Sequence, residues 1–589
     1  RFLSEERGEW PDIDLDLPSG DQRERVIQYV YRRYGSRGAA MTANVITYRD
    51  RMAAREVAKA LGYSSQQVDR LAKRLGSWHY DIKRGDDRCV ETELRDLGFD
   101  PSETRMLLFR EMWRRIQNHP RHLGQHSGGM VMSDGRLDEV VPLEPAAMEG
   151  RVIVQWDKDD CADLGIIKVD LLGLGMLNAL EEAVPMIRRH EGKLIDLAHL
   201  PPDDPKVYEM LRRADTVGVF QVESRAQMAS LPRNAPRKFY DLVIQVAIIR
   251  PGPIVGKIAH PYFERRMGRQ EVTYPHTSLK PILERTLGVP IFQEQILKLA
   301  MEAAGFTGGE AEELRRAMGF KRSMERMEKI EQRLVEGMRE RGIEAEGQQQ
   351  ILRAITSFAL YGFPESHAAS FALIAYASAY LKCHHPTAFF LSLLNAWPMG
   401  FYHPATLVKE AQRAGVEVRP IDVNHSGVRC RWEDGIRIGL RYVKGLRSDA
   451  AERIEEQQSE RRFSTVDDLV DRCDLREDQV TRLAEVGALA SLAAGGDRGL
   501  SRSEALWPVA RAAKRRGPLL RDQRDDARSP LPEMTAFEET AADFRVAELT
   551  TGRHPMEYYR AALTGRGVVS AADLARMPAD RRARPAGAV

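Results

Sequence analysis

The sequence predicts an α+β fold: a mixed domain split by a helical insertion, followed by a much longer, mainly helical region. Three observations carry this. Acidic and apolar residues alternate strictly through Pro11-Asp-Ile-Asp-Leu-Asp-Leu17, the period of a strand. Further strand-like pieces return only within residues 121–175, beyond a stretch rich in Arg, Lys, Glu and Leu. From 176 to 425 the pattern is mostly helical, broken by Arg250-Pro-Gly-Pro253 and Tyr361-Gly-Phe-Pro364.

In chain order, the first strand ends at Ser19-Gly20-Asp21. Val26, Ile27, Val30, Tyr31 and Tyr34 then follow at helical spacing, and Gly35 supplies a stop. Residues 44–120 read as several helices. Gly128-Gly-Met-Val-Met132, Arg151-Val-Ile-Val-Gln155 and Gly165-Ile-Ile-Lys-Val-Asp170 read as strands, so residues 1–43 and 121–175 form one interrupted mixed domain. Residues 426–510 form a smaller unit with two Gly-containing turns. Residues 511–545 read as a charged linker around Gly517-Pro518 and Ser529-Pro530, and 546–589 begin a further region.

Composition narrows the classes. The 589 residues are 43% apolar and 30% charged, which supports packed cores rather than disorder. The 88 Lys+Arg nearly cancel 86 Asp+Glu, so the net charge of +2 says nothing about a polyanionic partner. Five scattered cysteines without a CxxC spacing argue against a disulfide framework or zinc knuckle and fit a reducing cytoplasm. The longest apolar run, 371–381, ends at Lys382 and falls short of the ~20 residues a membrane span needs; no signal peptide is visible.

On a strand, residues i and i+2 share a face, ~6.5–7 Å apart. Asp12, Asp14 and Asp16 therefore share one face, and Ile13, Leu15 and Leu17 the other, apolar one. Clustered carboxylates repel, and a divalent cation removes that cost. Mg²⁺ takes oxygen ligands, typically one or two carboxylates plus substrate phosphates. Two such ions ~3.5–4 Å apart can stabilise both oxygens of a phosphoryl transfer. Asp170, at the end of an apolar strand, is the best third ligand. A solvated strand edge has the same alternation, so spacing alone leaves both readings open.

The Pro11–Leu17 segment resembles the catalytic PDxDxDF stretch of the bacterial C-family DNA polymerases, the DNA polymerase III alpha subunits. Other segments agree in order and spacing: Arg121-His-Leu-Gly-Gln-His-Ser-Gly-Gly129, Trp156-Asp-Lys-Asp-Asp160, Lys168-Val-Asp-Leu-Leu-Gly-Leu174, Gly218-Val-Phe-Gln-Val-Glu223, Arg250-Pro-Gly-Pro253, Leu314-Arg-Arg-Ala-Met-Gly319 and Tyr361-Gly-Phe-Pro-Glu-Ser-His367. Met41-Thr-Ala-Asn-Val-Ile-Thr-Tyr48, Cys383-His-His-Pro386 and Pro398-Met-Gly-Phe-Tyr402 are similar to the error-prone, ImuC-type branch.

The resemblance implies a polymerase-beta-like palm (1–43 and 121–175), an inserted helical thumb (44–120), large helical fingers (176–425) and a helix-hairpin-helix module (426–510). It implies that Asp12, Asp14 and Asp170 hold two Mg²⁺, and that Asp16, acidic in the family, is not a ligand. Leu17 stands where the family often has Phe. Arg315 and Arg316 match the fingers arginines that bind the triphosphate; alone, they read equally as a solvated helix face. Lys321 and Arg322 lie just beyond. His367 matches a histidine near the nucleotide sugar, able to crowd a 2′-hydroxyl. Arg49, Arg51 and Arg55 open the insertion, Arg51 and Arg55 on one helical face, and could follow a phosphate backbone. Gly439-Leu-Arg-Tyr-Val-Lys-Gly445-Leu446 resembles a hairpin turn in which Gly445 lets backbone N–H groups approach a phosphate and Lys444 adds charge. Leu483-Ala-Glu-Val-Gly487-Ala488 resembles a second, degraded copy.

The family also implies segments not found here: a histidine-rich polymerase-and-histidinol-phosphatase domain and a Gly-Ser palm helix before Arg1, and an oligonucleotide-binding barrel of which only a first strand is expected after Gly567. No acidic exonuclease set, histidine metal cluster or clamp-binding peptide is evident. The implied partners are primer-template DNA, deoxynucleoside triphosphates, accessory proteins of the ImuA/ImuB type and, through them, the sliding clamp. The sequence thus points to template-directed DNA synthesis. The alternatives are a truncated, catalytically incomplete DNA-binding fragment and a metal-dependent nuclease, which would leave Arg315 and Arg316 without a purpose.

Overall fold

The computed structural model describes residues 13–75, 87–249, 256–319, 324–359, 363–400, 402–492, 499–512, 529–574 and 576–578; at some helix positions, Arg315 and Arg316 among them, it describes the backbone alone. The chain divides into two compact units, Arg1–Leu174 and Gly175–Val589.

The first unit is a six-stranded mixed sheet with helices. Its elements are β1 (Ile13–Pro18), α1 (Asp21–Tyr34), β2 (Ala39–Thr47), α2 (Asp50–Ala60), α3 (Ser65–Leu75), α4 (Asp87–Asp96), α5 (Thr104–Ile116), β3 (Pro120–Met132), β4 (Leu143–Pro145), β5 (Val152–Val154), α6 (Lys158–Asp163) and β6 (Lys168–Leu174). The strand order is β1-β6-β3-β2-β5-β4.

Helix α1 carries Asp21 and Glu24 in its first turn and Arg32 and Arg33 in its last, matching the helix dipole. Gly35, at φ +75°, donates its N–H to the Tyr31 carbonyl at 2.8 Å and ends it. Ile27 and Val30 pack with Met41, Met130 and Leu171. Arg23 ties α1 to the sheet, donating through Nε to the Leu171 carbonyl at 2.7 Å and through Nη2 to that of Ser127.

Three details correct the sequence reading. The apolar face of β1 is covered only at its far end: Leu17 packs under α1, whereas Ile13 and Leu15 are 40% and 47% exposed. β1 is an edge strand, and the core formed with α1 reaches only its Leu17 end. β2 runs on to Thr47, across the expected boundary at 43/44. It lies between β3 and β5, and Ala39 to Ala43 are buried on both faces, so no alternation marks it. β6 begins at Lys168 rather than Gly165, which turns at φ +68°.

The helical insertion is α2–α5, around its own core of Leu71, Leu94, Phe109 and Trp113. Each such side chain contributes about 1.5–3 kcal/mol by burial. Trp113 Nε1 donates to the Asp50 carbonyl at 3.0 Å, fastening the end of the insertion to its start.

The second unit is mainly helical. One smaller core unites Leu279, Ile296, Leu299, Leu314, Leu334 and Ile355. The main core runs from Met176 through the helix Glu365–His384 to Leu489 and on to Leu549, so residues 426–510 share this core rather than closing one of their own. A three-stranded sheet of two-residue strands, Val418–Arg419, Arg431–Trp432 and Ile436–Arg437, lies at the start of that region. The expected linker ends early. A capping box at Thr535 and Glu538 starts the helix Ala536–Ala547, whose Val546 and Ala547 enter the main core. Most of the charged stretch, 513–528, lies outside the described residues. Beyond it, where a strand was expected after Gly567, the described elements are the helices Pro555–Gly565 and Ala571–Leu574. Cys161, Cys383, Cys430 and Cys473 are free thiols, and no helix among the described residues is long and apolar enough to cross a membrane.

Candidate active site

β6 lies between β1, to which it is parallel, and β3, to which it is antiparallel. Asp170 pairs with Asp14 on one side and with Gly129 on the other. Paired residues on parallel neighbours are about 4.8 Å apart and face the same way. The sheet therefore brings Asp14 and Asp170 together. Asp12 lies outside the described residues, and among those described no group of three or more His, Cys, Asp or Glu is gathered for a metal.

The Asp170 side chain is only 13% exposed. Its Oδ2 accepts from Lys168 Nζ at 2.5 Å. Its Oδ1 is buried without a hydrogen-bond partner. The neighbour of Oδ1 at 3.5 Å is His126 Nδ1, which itself accepts the backbone N–H groups of Gly129 at 2.5 Å and Gly128 at 3.2 Å. That nitrogen thus carries a lone pair rather than a proton, and offers Oδ1 nothing. Asp16 also buries an unpartnered Oδ1. Stranding a buried polar atom costs about 1–3 kcal/mol. A cation beside the Asp170 carboxylate balances its buried charge, and the ammonium of Lys168 already does so at Oδ2. The all-oxygen donor set fits Mg²⁺.

Gly129 is required beneath Asp170. A Cβ there would lie 2.4 Å from Thr42 Oγ1, 2.8 Å from His126 Nδ1 and 3.1 Å from Asp170 Oδ1. Lys168, His126 and Thr42 belong to matched segments but received no role from sequence reasoning. For Lys168 the signal was present: it stands two residues before Asp170 on one strand, hence on one face.

The remaining predicted residues fall into two groups. In the first unit, Arg49 Nη1 donates to Asn118 Oδ1 at 2.5 Å, Arg55 Nη2 pairs with Asp69 Oδ1 at 2.7 Å, and Arg51 is exposed on α2. In the second, Arg315 and Arg316 lie on the helix Gly308–Gly319, with side chains outside the described set, as are Lys321 and Arg322 altogether. His367 stands in the first turn of Glu365–His384, edge-on to Phe363 and tilted against Phe371 at centroid distances of 5.1 and 4.1 Å.

Gly445 turns at φ +85°, and a Cβ there would lie 3.9 Å from Arg482 Cγ, an ordinary contact. Lys444 is engaged within the chain: its N–H donates to the Val546 carbonyl at 2.9 Å and its ammonium pairs with Glu548. The second hairpin, at Gly487, is filled. Arg502 lies against that glycine, and its Nη1 donates to the Glu485 and Glu539 carbonyls and to Asp543 Oδ1 at 3.0, 3.1 and 2.7 Å.

Comparison with known proteins identifies the family. Residues 1–173 match the model of the bacterial DNA polymerase III alpha NTPase domain, 176–342 that of the bacterial DNA polymerase III alpha subunit finger domain, and 415–500 a helix-hairpin-helix motif. The chain belongs to the family of bacterial DNA polymerase III alpha subunits. Within it, the chain is similar to error-prone DNA polymerases. That of Anaeromyxobacter dehalogenans (strain 2CP-C) is 48% identical over 601 residues, covering 98% of this chain and 52% of the relative. Those of Alkalilimnicola ehrlichii and Mycolicibacterium paratuberculosis are each 46% identical over 100% of this chain, covering 57% and 52% of their own lengths. The chain thus spans about half the length of these relatives.

Proposed function

We propose that this chain carries the catalytic carboxylates of a DNA-directed DNA polymerase that extends a primer 3′ end in error-prone, translesion synthesis during DNA repair. The observation that carries this is the register of Asp14 with Asp170, which puts the two carboxylates on one face of neighbouring strands. Asp12, Asp14 and Asp170 hold two Mg²⁺. When bound, such ions supply charge neutralisation and activation of the hydroxyl in phosphoryl transfer. The six-stranded sheet is the palm and α2–α5 the thumb, leaving the fingers and hairpin regions in the second unit.

Arg315 and Arg316 bind the incoming triphosphate, where planar guanidinium groups grip phosphate oxygens. His367, held by its aromatic neighbours, limits space beside the sugar. Arg49, Arg51 and Arg55, with Lys444 and the turn at Gly445, contact the backbone of primer-template DNA without reading its sequence. The substrates are deoxynucleoside triphosphates. Accessory proteins of the ImuA/ImuB type and the sliding clamp are its partners, in the cytoplasm.

Primer extension tests this reading, with DNA affinity measured in parallel by fluorescence anisotropy. Asp14→Asn is expected to lower extension by ~10³-fold or more while leaving DNA affinity nearly unchanged. Extension by Asp14→Asn at the unsubstituted rate would overturn it.

A further inference from the structure

The geometry points to Lys168 as a built-in counter-cation of the carboxylate site, which a divalent ion must displace from Asp170. The inference rests on the metal-binding reading above and deepens it. Lys168 and Asp170 stand two apart on β6, on one face, and their side chains are only 11% and 13% exposed. The contact is direct, Nζ to Oδ2 at 2.5 Å. The two oxygens of Asp170 are not equivalent. Oδ1 is turned toward β3, buried near His126 Nδ1 and the Gly129 position. Oδ2 is then the oxygen available to a cation shared with Asp14 on the opposite neighbour, β1, and Lys168 holds it.

An ammonium and a divalent ion on one oxygen repel each other. The flexible four-carbon stem of lysine lets its charge withdraw while the strand stays in place. Lys168 therefore keeps the buried carboxylate balanced without metal, and opposes stable metal occupancy until substrate phosphates add their own ligands. It is a positioning residue rather than a catalytic one: it acts on the charge of Asp170.

Mn²⁺ binding, followed by the electron paramagnetic resonance of the free ion and without nucleotide, tests this. Lys168→Met and Lys168→Gln should each bind Mn²⁺ about 10-fold more tightly than the unsubstituted protein. Gln keeps an N–H donor for Oδ2 and safeguards folding. Lys168→Arg, which retains the charge, should stay within about 2-fold of the unsubstituted affinity. The Mn²⁺-induced rise in Tm should be larger for Lys168→Met than for the parent. Unchanged or weaker Mn²⁺ binding by both neutral variants would overturn the counter-cation role. Asp14→Asn separates the two levels: it should weaken Mn²⁺ binding, and if it does not, the metal-site reading fails along with the inference.

Discussion

The β1–β6 pair and the hairpin region treat their polar groups in opposite ways. On the sheet, Asp16 and Asp170 each bury an oxygen without a partner, and the nearby His126 nitrogen presents a lone pair. In the hairpin region, the chain supplies the partners itself. Lys444 is paired by Val546 and Glu548, and Arg502 fills the turn at Gly487. The contrast separates a strand pair that leaves room for an added partner from a second hairpin whose polar groups the chain already satisfies.

The largest effect expected from this contrast is at Gly129. Gly129→Ala drives a methyl into Thr42, His126 and Asp170, so primer extension should fall by ~100-fold or more and Tm should drop by several degrees. Normal extension by this variant would remove the requirement for a bare backbone under Asp170.

Glu223 sharpens the comparison, because it is a buried carboxyl that takes a proton rather than a cation. Burial pushes it up to about 7, against a hydrogen bond from the Gly218 N–H and the attraction of Lys382. Its folded value lies above the free value of 4.5, so the stability linked to the neutral form is present below pH ~4.5 and is lost as pH rises to about 7. Glu223→Gln should therefore stabilise the protein at pH 8 by up to ~3 kcal/mol and change little near pH 4.5. Tm measured at both values checks this; an equal shift at the two would contradict it.

Arg502→Ala opens the filled hairpin and removes the hydrogen bonds to the Glu485 and Glu539 carbonyls and to Asp543 Oδ1. A loss of about 2 kcal/mol by urea denaturation is expected, and a neutral result would make that turn dispensable. The smallest effect concerns Glu548. Its carboxylate pairs with Lys444, so on the proposed DNA contact of Lys444, Glu548→Ala should tighten DNA binding by about 2–3-fold at low salt. Weaker binding would show that the pair supports the turn instead.

Much of the site was legible in sequence because strands obey a period of two. The alternation after Pro11 identified the strand of Asp14, and the apolar run before Asp170 identified its neighbour. What that period could not show was β2, buried on both faces and so without alternation, or the exposure of Ile13 and Leu15, which depends on how far α1 reaches. Lys168 was overlooked as a charge beside a charge, although the same rule puts it on the face of Asp170. The helix Ala536–Ala547 hides behind a charged, linker-like stretch, and its one local signal is the capping box at Thr535. The partner of Lys444 stands at Glu548, about a hundred residues on, beyond the range of any local pattern.

Asp14 and Asp170, in register on neighbouring strands, should act as one unit. Primer extension by Asp14→Asn, Asp170→Asn and the double variant, at equal DNA occupancy, tests it most directly. The account predicts that each single change abolishes most extension and that the double variant loses little more than either. Losses that multiply in the double variant, or extension that survives Asp170→Asn, would contradict it.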